Sequence, residues 1–428
     1  MNRVTPATTY RFTRLENGLT VATAEMPHMT SVSLGIWAGV GSRYEPASLS
    51  GVSHFIEHML FKGTKRRTPL AISQAVEGIG GYLNAFTSEE TTCFYSRARH
   101  DRFEVLLEVL GDMFLHSRFH PADIQKEREV IKEELAMYLD DPAHHVQELL
   151  NATQWPEQPL GRSITGSIQT LNGIRRKELL QFLQTHYVAD RTFICAAGRV
   201  KHAPVVRAVQ ARFRGLPRGV PSVFAPAMPR TGGCVIEWHT KDTEQTHLAL
   251  GVRTCPRHDQ RRYALRLLNV ILGENMSSRL FQVVREDHGL AYSIQSSVSF
   301  FHDAGDLVIG AGLDAENLPK VVRLLAQELR RLKLRAPGVT ELRRARDYVL
   351  GQIEMSQENT ESQMMNLGEQ LAGFGKVFPV AEVKRSLTAV TCSQIHAAAS
   401  EFFHPERYTL ALISPLKRIK GLEKLLVS

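Results

Sequence analysis

The stretch GVSHFIEHMLFKGT, residues 51–64, has the apolar spacing of one amphipathic helix. Its apolar side chains recur three and four residues apart, so one face of the helix would pack against a core. The residues on this face are Phe55, Ile56, Met59 and Leu60. Ser50 is the predicted N-cap, because a serine hydroxyl can accept a hydrogen bond from a free N–H of the first turn.

Two histidines of this stretch project from one face of the predicted helix. His54 and His58 are four residues apart, which brings their Cβ atoms within about 5–6 Å and suits two nitrogen ligands of one Zn²⁺. Glu57 lies beside them, close enough to take a proton from a water at the metal. The pattern H-x-x-E-H therefore predicts a hydrolytic zinc site. An ordinary helix with one capping and one solvated histidine would contain the same residues, and a third ligand would decide between the two interpretations.

Length and composition predict a soluble globular protein of at least two domains. The 428 residues are 43% hydrophobic and 22% charged, and no run of 18 apolar residues occurs that could span a membrane. The N-terminal sequence MNRVTPATTYRF has no apolar segment of a secretory signal, and strand-like sequence begins too early for a transit peptide. The five cysteines are scattered and form no C-x-x-C pair, which indicates a reducing compartment. We therefore expect a cytoplasmic protein without a membrane partner.

The basic charge of the chain does not by itself indicate a nucleic-acid partner. The net charge is +8 and the pI is near 9.3. Basic side chains are spread along predicted helices such as 323–335, with no interleaved aromatic residues. This distribution favours a solvated basic surface, and we expect no binding to nucleic acid.

The first half of the chain alternates strands and helices. A pair of strands joined by an Asn17-Gly18 turn comes first. Further strands are predicted at 31–39, 82–86, 91–97 and 192–197, and helices at 71–79, 101–116, 121–139 and 175–186.

The second half repeats this order of elements. Strands are predicted at 234–240 and 246–253 and helices at 262–272, 318–333 and 340–355, about 215 residues after their counterparts. The H-x-x-E-H pattern is missing there, and Gln352 stands at the place of Glu134. The sequence thus predicts a tandem duplication with an N-terminal catalytic half at 1–214, a proline-rich linker at 215–233 and a second half at 234–428 without metal ligands.

The helix predicted at 121–139 is the natural source of a third metal ligand. Glu127 and Glu134 are seven residues apart and lie on one face of it. Glu129 and Glu133 are also present, and most glutamates on such a helix are solvated. The residues alone do not choose among the four.

These features resemble the pitrilysin/insulinase family of zinc metallopeptidases, the inverzincins, over about residues 10–413. The similarity is greatest to bacterial relatives of the β subunit of mitochondrial processing peptidase. In that family the third ligand is a glutamate 76 residues after the second histidine, which is Glu134 here, with Glu133 as the competing choice. Glu127 matches the outer acid that holds a ligand histidine in place. The resemblance implies one Zn²⁺ per chain.

Two further stretches support the resemblance. SSRLFQVVREDHGLAYSIQS contains Arg285 and Tyr292, which in the family reach the active site from the second half. GGYLNAFTSEETTCFY contains the strand edge that pairs with bound peptide, and the implied contacts are Asn84, Ala85 and Phe86. Taken without the resemblance, these residues would fit an arginine on a helix face, a tyrosine packed in a strand and an ordinary sheet edge.

The resemblance also implies the fold and the function. The fold would be α+β, with two similar α/β-sandwich-type halves of mixed or antiparallel sheets, each a pair of modules, closing like a clam around a chamber. The protein would be a zinc-dependent endopeptidase that hydrolyses unfolded peptides or oligopeptides, with Glu57 as general base and Tyr292 as oxyanion donor. A homodimer is expected, and a different partner chain would also fit. The alternative is a non-catalytic peptide-binding or scaffold subunit of the same family.

Overall fold

The computed structural model describes residues 8–220, 223–229 and 232–427. Within these residues the chain divides into two units, each built on a single β-sheet. As far as they are described, the first contains Met1–Leu135, Ser163–Ala225 and Ile353–Pro379, and the second contains Ala136–Arg162, Pro226–Gln352 and Val380–Ser428. The expectation that each half is a pair of modules is therefore wrong.

Six strands form the sheet of the first unit. They are β1 (Thr9–Arg14), β2 (Thr20–Glu25), β3 (Ser31–Ala38), β4 (Tyr82–Thr87), β5 (Thr92–Arg99) and β6 (Thr192–Gly198). Their order is β1-β2-β6-β3-β5-β4; the pair β2–β6 is parallel and the other pairs are antiparallel. The predicted Asn17-Gly18 turn joins β1 to β2, and the φ of +95° at Gly18 explains the glycine. Strand β4 lies at the edge of the sheet.

Helices cover both faces of this sheet. The helices in the first half of the chain are α1 (Val52–Leu60), α2 (Pro69–Glu77), α3 (Phe103–His116), α4 (Pro121–Asp140), α5 (Pro142–Gln154), α6 (Ile168–Gly173), α7 (Arg176–His186) and α8 (His202–Phe213). Successive residues of β5 point to opposite faces. Phe94 contacts Phe114 of α3 with ring centroids 6.3 Å apart, whereas Cys93 packs in a separate cluster around Trp37. The helix predicted at 51–64 is shorter than expected, because it ends at Leu60.

The sheet of the second unit has the same strand arrangement as the first, except that no strand of it corresponds to β1 among the described residues. Its strands are β7 (Val235–Thr240), β8 (Thr246–Thr254), β9 (Ala291–Phe300), β10 (Gly305–Leu313) and β11 (Thr409–Ser414). Their order is β7-β11-β8-β10-β9, and β7–β11 is its parallel pair. The helices that follow β8 along the chain are α9 (Arg262–Asn269), α10 (Leu318–Leu334), α11 (Val339–Ser356), α12 (Thr360–Phe374), α13 (Val380–Ala389), α14 (Cys392–Phe402) and α15 (Leu422–Val427). The predicted α+β class with two similar halves is confirmed.

Two helices belong to the sheet of the other half of the sequence. Helix α5 packs on β8 and β11, where Val146 and Leu150 join the second core. Helix α12 packs on β3 and β6, where Met364 and Leu367 contribute to the cluster around Trp37. Neither helix was predicted, and the two units therefore differ at these segments from the predicted halves 1–214 and 234–428.

The predicted linker has no regular secondary structure where the structure describes it. Residues 215–220, 223–229 and 232–233 contain neither helix nor strand. Positions 221–222 and 230–231 of the linker, and residues 1–7 of the N-terminal stretch, lie outside the described residues. None of the helices in the described ranges combines the length and hydropathy that a bilayer crossing requires.

A substitution at Gly368 tests how closely α12 packs on the sheet of the first unit. A Cβ atom at this position would overlap the indole ring of the buried Trp37. We expect Gly368→Ala to lower the free energy of unfolding by about 3 kcal/mol, because the overpacked ring has no room to move. Gly351→Ala in α11 is the control, since a Cβ there meets nothing within 4 Å, and it should stabilise by about 0.5–1 kcal/mol. Urea unfolding would measure both, and equal stability of the two variants would contradict this packing.

Candidate metal centre

The helix that contains the histidines is capped by an acid from the preceding loop. The carboxylate of Glu45 accepts hydrogen bonds from the N–H groups of Gly51 (2.7 Å) and Ser53 (2.8 Å). The predicted cap at Ser50 is wrong, because Gly51 is the N-cap of α1, with a φ of +94°. A side chain at Gly51 would also meet the backbone oxygen of Thr165 at 2.7 Å. The buried Glu45 therefore holds α1 in place at its positive end.

Three potential ligands converge in the first unit. The Nε2 atom of His54 lies 3.7 Å from Oε1 of Glu134, and Nε2 of His58 lies 3.4 Å from Oε2 of the same carboxylate. One ligand atom from each residue lies within 4.8 Å of the others. The neighbouring Glu133 is exposed on α4 and is not part of this group. The arrangement therefore offers a metal two imidazoles and one carboxylate from two helices.

Glu127 lies behind His58 on the same helix as Glu134. It is buried, and its Oε2 lies 3.3 Å from Nδ1 of His58, while Nζ of Lys62 lies 2.9 Å from its Oε1. A proton on Nδ1, facing Glu127, leaves the lone pair of Nε2 facing Glu134. This contact sets the ring orientation that a metal ligand needs. Lys62 was not predicted, and no pattern in the sequence points to it.

The two histidines have different proton affinities. Burial, together with the nearby His58, lowers the pKa of His54 to about 4. Burial opposes the charged form of His58 as well, but its bonds to Glu134 and Glu127 outweigh this effect and raise its pKa. Nδ1 of His54 is buried and has no hydrogen-bond partner among the described residues. His54 is thus a neutral imidazole, ready to bind a metal, at any pH near neutrality.

Glu57 lies beside the ligands without belonging to them. Its Oε2 accepts a hydrogen bond of 2.6 Å from the hydroxyl of Thr87, the last residue of β4. Burial raises the pKa of Glu57, although the Thr87 bond and the nearby His58 act in the opposite direction. A carboxylate that is partly desolvated and held on one oxygen is suited to accept a proton with the other. Sequence reasoning missed Thr87, because a threonine hydroxyl in a strand carries no signal of its partner.

Comparisons with known proteins identify the family of this chain. Residues 20–167 match the model of the insulinase family, peptidase family M16, and residues 173–349 match the model described as the peptidase M16 inactive domain. The chain belongs to the insulinase (peptidase M16) family. The predicted family is confirmed. The group of three ligands lies in the part that matches the first model.

Curated M16 relatives match over nearly the whole chain. "Uncharacterized zinc protease ML0855" of Mycobacterium leprae is 35% identical over 419 residues, which cover 96% of this chain and 93% of the relative. "Uncharacterized zinc protease YmxG" of Bacillus subtilis is 36% identical over 406 residues, 94% of this chain and 97% of the relative. These matches extend the family assignment to both halves of the chain.

Solved structures share the fold. A protease from Helicobacter pylori superposes with a TM-score of 0.90 at 21% identity, covering 96% of this chain and 100% of that one. A peptidase M16 inactive domain from Pseudomonas fluorescens gives 0.87 at 19% identity, with 96% and 100% covered. The M16 fold therefore accounts for the architecture of both sheets.

The three predicted substrate contacts lie in β4, an edge strand of the sheet of the first unit. Asn84, Ala85 and Phe86 lie in it, and α1 packs against it. The side-chain oxygen of Asn84 accepts a hydrogen bond from the N–H of Ala85 at 2.8 Å. The ring of Phe86 is partly buried and packs on Trp37 with centroids 5.5 Å apart, so its side chain is directed at the core. What this strand can offer a peptide is its backbone edge.

Arg285 and Tyr292 lie together in the second unit. The guanidinium carbon of Arg285 is 5.7 Å from the ring centroid of Tyr292 and 4.9 Å from that of Phe281. Tyr292 is 76% exposed, and Arg285 lines a cavity of about 400 Å³. The pair is held by cation–π contacts and presents polar groups outward.

Proposed function

We propose that this protein is a zinc-dependent endopeptidase. The observation that carries the proposal is the convergence of His54, His58 and Glu134, with Glu57 near enough for the charges of His58 and Glu134 to act on its pKa. Two imidazoles and one carboxylate are a ligand set of catalytic zinc sites, which keep one position open. The names of the M16 relatives, which describe zinc proteases, support the choice of metal.

The residues of the site have separate proposed roles in metal binding and proton transfer. His54, His58 and Glu134 would hold one Zn²⁺ per chain, and Glu127 would keep the ring of His58 in the binding orientation. A bound zinc supplies Lewis-acid chemistry at the scissile carbonyl. Glu57 takes the proton of the attacking water and passes it to the leaving amine. The raised pKa of Glu57 suits both transfers, because a base closer to neutrality can also act as the acid.

We further propose that the substrate is an unfolded peptide. Backbone pairing with the edge of β4, along Asn84, Ala85 and Phe86, requires an extended chain and would exclude a folded protein. Arg285 and Tyr292 would hydrogen-bond the same peptide, with the phenol stabilising developing oxyanion charge. We propose a homodimer as the assembly. The cytoplasm is the proposed location, in keeping with the free state of all five cysteines.

Hydrolysis of an internally quenched peptide library by the purified protein tests the proposal. Zinc content is measured on the same sample, before and after chelation and after zinc is restored. Zinc near one per chain, with cleavage lost on chelation and regained with zinc, would support a zinc endopeptidase. Zinc without cleavage of any library member, or no zinc at all, would favour the non-catalytic peptide-binding alternative.

Zinc affinity should depend on pH through His58. Its pKa is raised in the metal-free protein because Glu134 and Glu127 stabilise the charged ring, and zinc must displace that proton. Below this pKa the apparent affinity should fall by about tenfold per pH unit, while His54 stays neutral down to about pH 4. Competition with a chelator between pH 5 and 7 measures the slope. Glu127→Gln should shift the onset to lower pH, and an affinity that is flat over this range would contradict the prediction.

A further inference from the structure

The carboxylate of Glu57 has a single hydrogen-bond donor among the described residues. This donor is the hydroxyl of Thr87, which lies 2.6 Å from Oε2. Thr87 is the last residue of the edge strand β4, one position after the predicted substrate contacts. Its partner across the hairpin is Thr92 of β5. The proposed general base is therefore attached to the end of the strand along which a peptide would pair.

The hairpin that contains Thr87 is clamped to the segment 41–45. The backbone oxygens of Ser88 and Glu89 accept hydrogen bonds from the N–H groups of Ser42 (3.1 Å) and Arg43 (2.8 Å). A buried ion pair of 2.8 Å joins Arg43 to Glu90. Gly41 leaves no room for a side chain, because a Cβ there would overlap the oxygen of Ser88. Two backbone hydrogen bonds and a buried ion pair therefore hold the hairpin firmly against segment 41–45.

The same short segment also holds the helix that contains Glu57. Glu45, the last residue of the segment, caps α1 through the N–H groups of Gly51 and Ser53. Segment 41–45 therefore contacts both the hairpin that contains Thr87 and the helix that contains Glu57. Neither connection uses the side chain of His54, His58 or Glu134; only the backbone of His54 lies between the capped end of α1 and Glu57. The distance between Thr87 and Glu57 is thus set without any help from a metal.

We propose that Thr87 is a positioning residue for the general base, a role that rests on the proposed endopeptidase function. Its hydroxyl occupies Oε2 of Glu57 and leaves Oε1 as the oxygen that accepts the proton. The side chain of a glutamate has three rotatable bonds, and a hydrogen bond at its tip removes the freedom of the last one. A base that is misplaced by about 1 Å can cost about 100-fold in rate, so the bond acts on the chemical step.

Thr87→Val, Thr87→Ser and Thr87→Ala test the role, with Thr185→Val as the control. Valine keeps the shape and removes the hydroxyl, whereas serine keeps the hydroxyl; Thr185 carries the same group on the exposed face of α7. We expect kcat to fall about 10- to 100-fold in Thr87→Val with KM and zinc content unchanged. Thr87→Ser should stay within about threefold of wild type, because the donor remains. The kcat of Thr185→Val should match that of wild type. If Thr87→Val fails to fold, Thr87→Ala should show the same fall in kcat.

A structural readout separates this proposal from the function on which it rests. Crystal structures of the zinc-loaded proteins should show Glu57 in one rotamer in wild type and Thr87→Ser, and rotated or split between rotamers in Thr87→Val. Wild-type kcat in Thr87→Val, or an unchanged Glu57 rotamer, would overturn the positioning role while leaving the peptidase proposal intact. A wild type that cleaves no peptide would overturn the function, and the rotamer comparison would then still decide whether Thr87 places Glu57. A fall in zinc content that matches the loss of activity would assign Thr87 to metal retention and overturn the proposal.

Discussion

Glu57→Gln is expected to reduce kcat for peptide hydrolysis by about 10³-fold while zinc content stays near one per chain. Glutamine has nearly the same shape, and its amide can accept a hydrogen bond from Thr87, so the site should keep its structure. It cannot take a proton from the attacking water, and the loss therefore falls on the chemical step. KM should change little, because Glu57 is not one of the three proposed metal ligands and the proposed pairing of peptide with β4 uses the backbone of the strand.

Glu133→Gln is the matched control for this substitution. It makes the same chemical change on the exposed surface of α4, next to a proposed ligand, and should leave kcat within about twofold of wild type. Steady-state kinetics on a quenched peptide, with zinc measured on the same samples, provide the comparison. Full activity of Glu57→Gln would exclude Glu57 as the base.

Glu134→Gln is expected to lower zinc affinity by at least about 100-fold and to abolish activity at limiting zinc. Loss of an outer partner alone costs about 10- to 100-fold in metal affinity, and removal of a charged ligand should cost no less. The carboxylate of Glu134 approaches both His54 and His58, so its charge is central to the group. Zinc competition with a chelator measures the affinity directly, without reference to peptide cleavage.

Glu133→Gln again serves as the control, because Glu133 was the competing ligand. It should bind zinc like wild type, whereas Glu127→Gln should show an intermediate loss through the orientation of His58. A loss of zinc from Glu133→Gln together with normal binding by Glu134→Gln would reverse the assignment of the third ligand.

The part of the site that lies on one helix could be predicted from the sequence. The spacing of His54, Glu57 and His58 fixes their common face, because the α-helix turns by a constant angle per residue. The cap of that helix could not be predicted in the same way. Ser50 fits the local rule, yet Glu45 reaches the free N–H groups from outside the helix, and only the path of the loop determines this.

The third ligand required two kinds of information. A helix turns through about 100° per residue, so Glu133 and Glu134 point in clearly different directions. Which of them faces α1 depends on how α4 packs, and the residues of α4 alone left this open. The family resemblance chose Glu134, and the tertiary structure places its carboxylate beside both histidines while Glu133 is exposed.

The sequence by itself determined the strands and most helices of the first half, the matching elements β7, β8, α9, α10 and α11 of the second, and the local geometry of H-x-x-E-H. These depend on short-range periodicity. Tertiary structure alone decided the exchange of α5 and α12 between the two sheets. An amphipathic helix records that it has a buried face but not which sheet covers it. The same limit applies to Thr87, whose hydroxyl meets Glu57 across 30 residues of chain. Contacts between distant segments form only where the packed fold brings them together, and no local pattern encodes them.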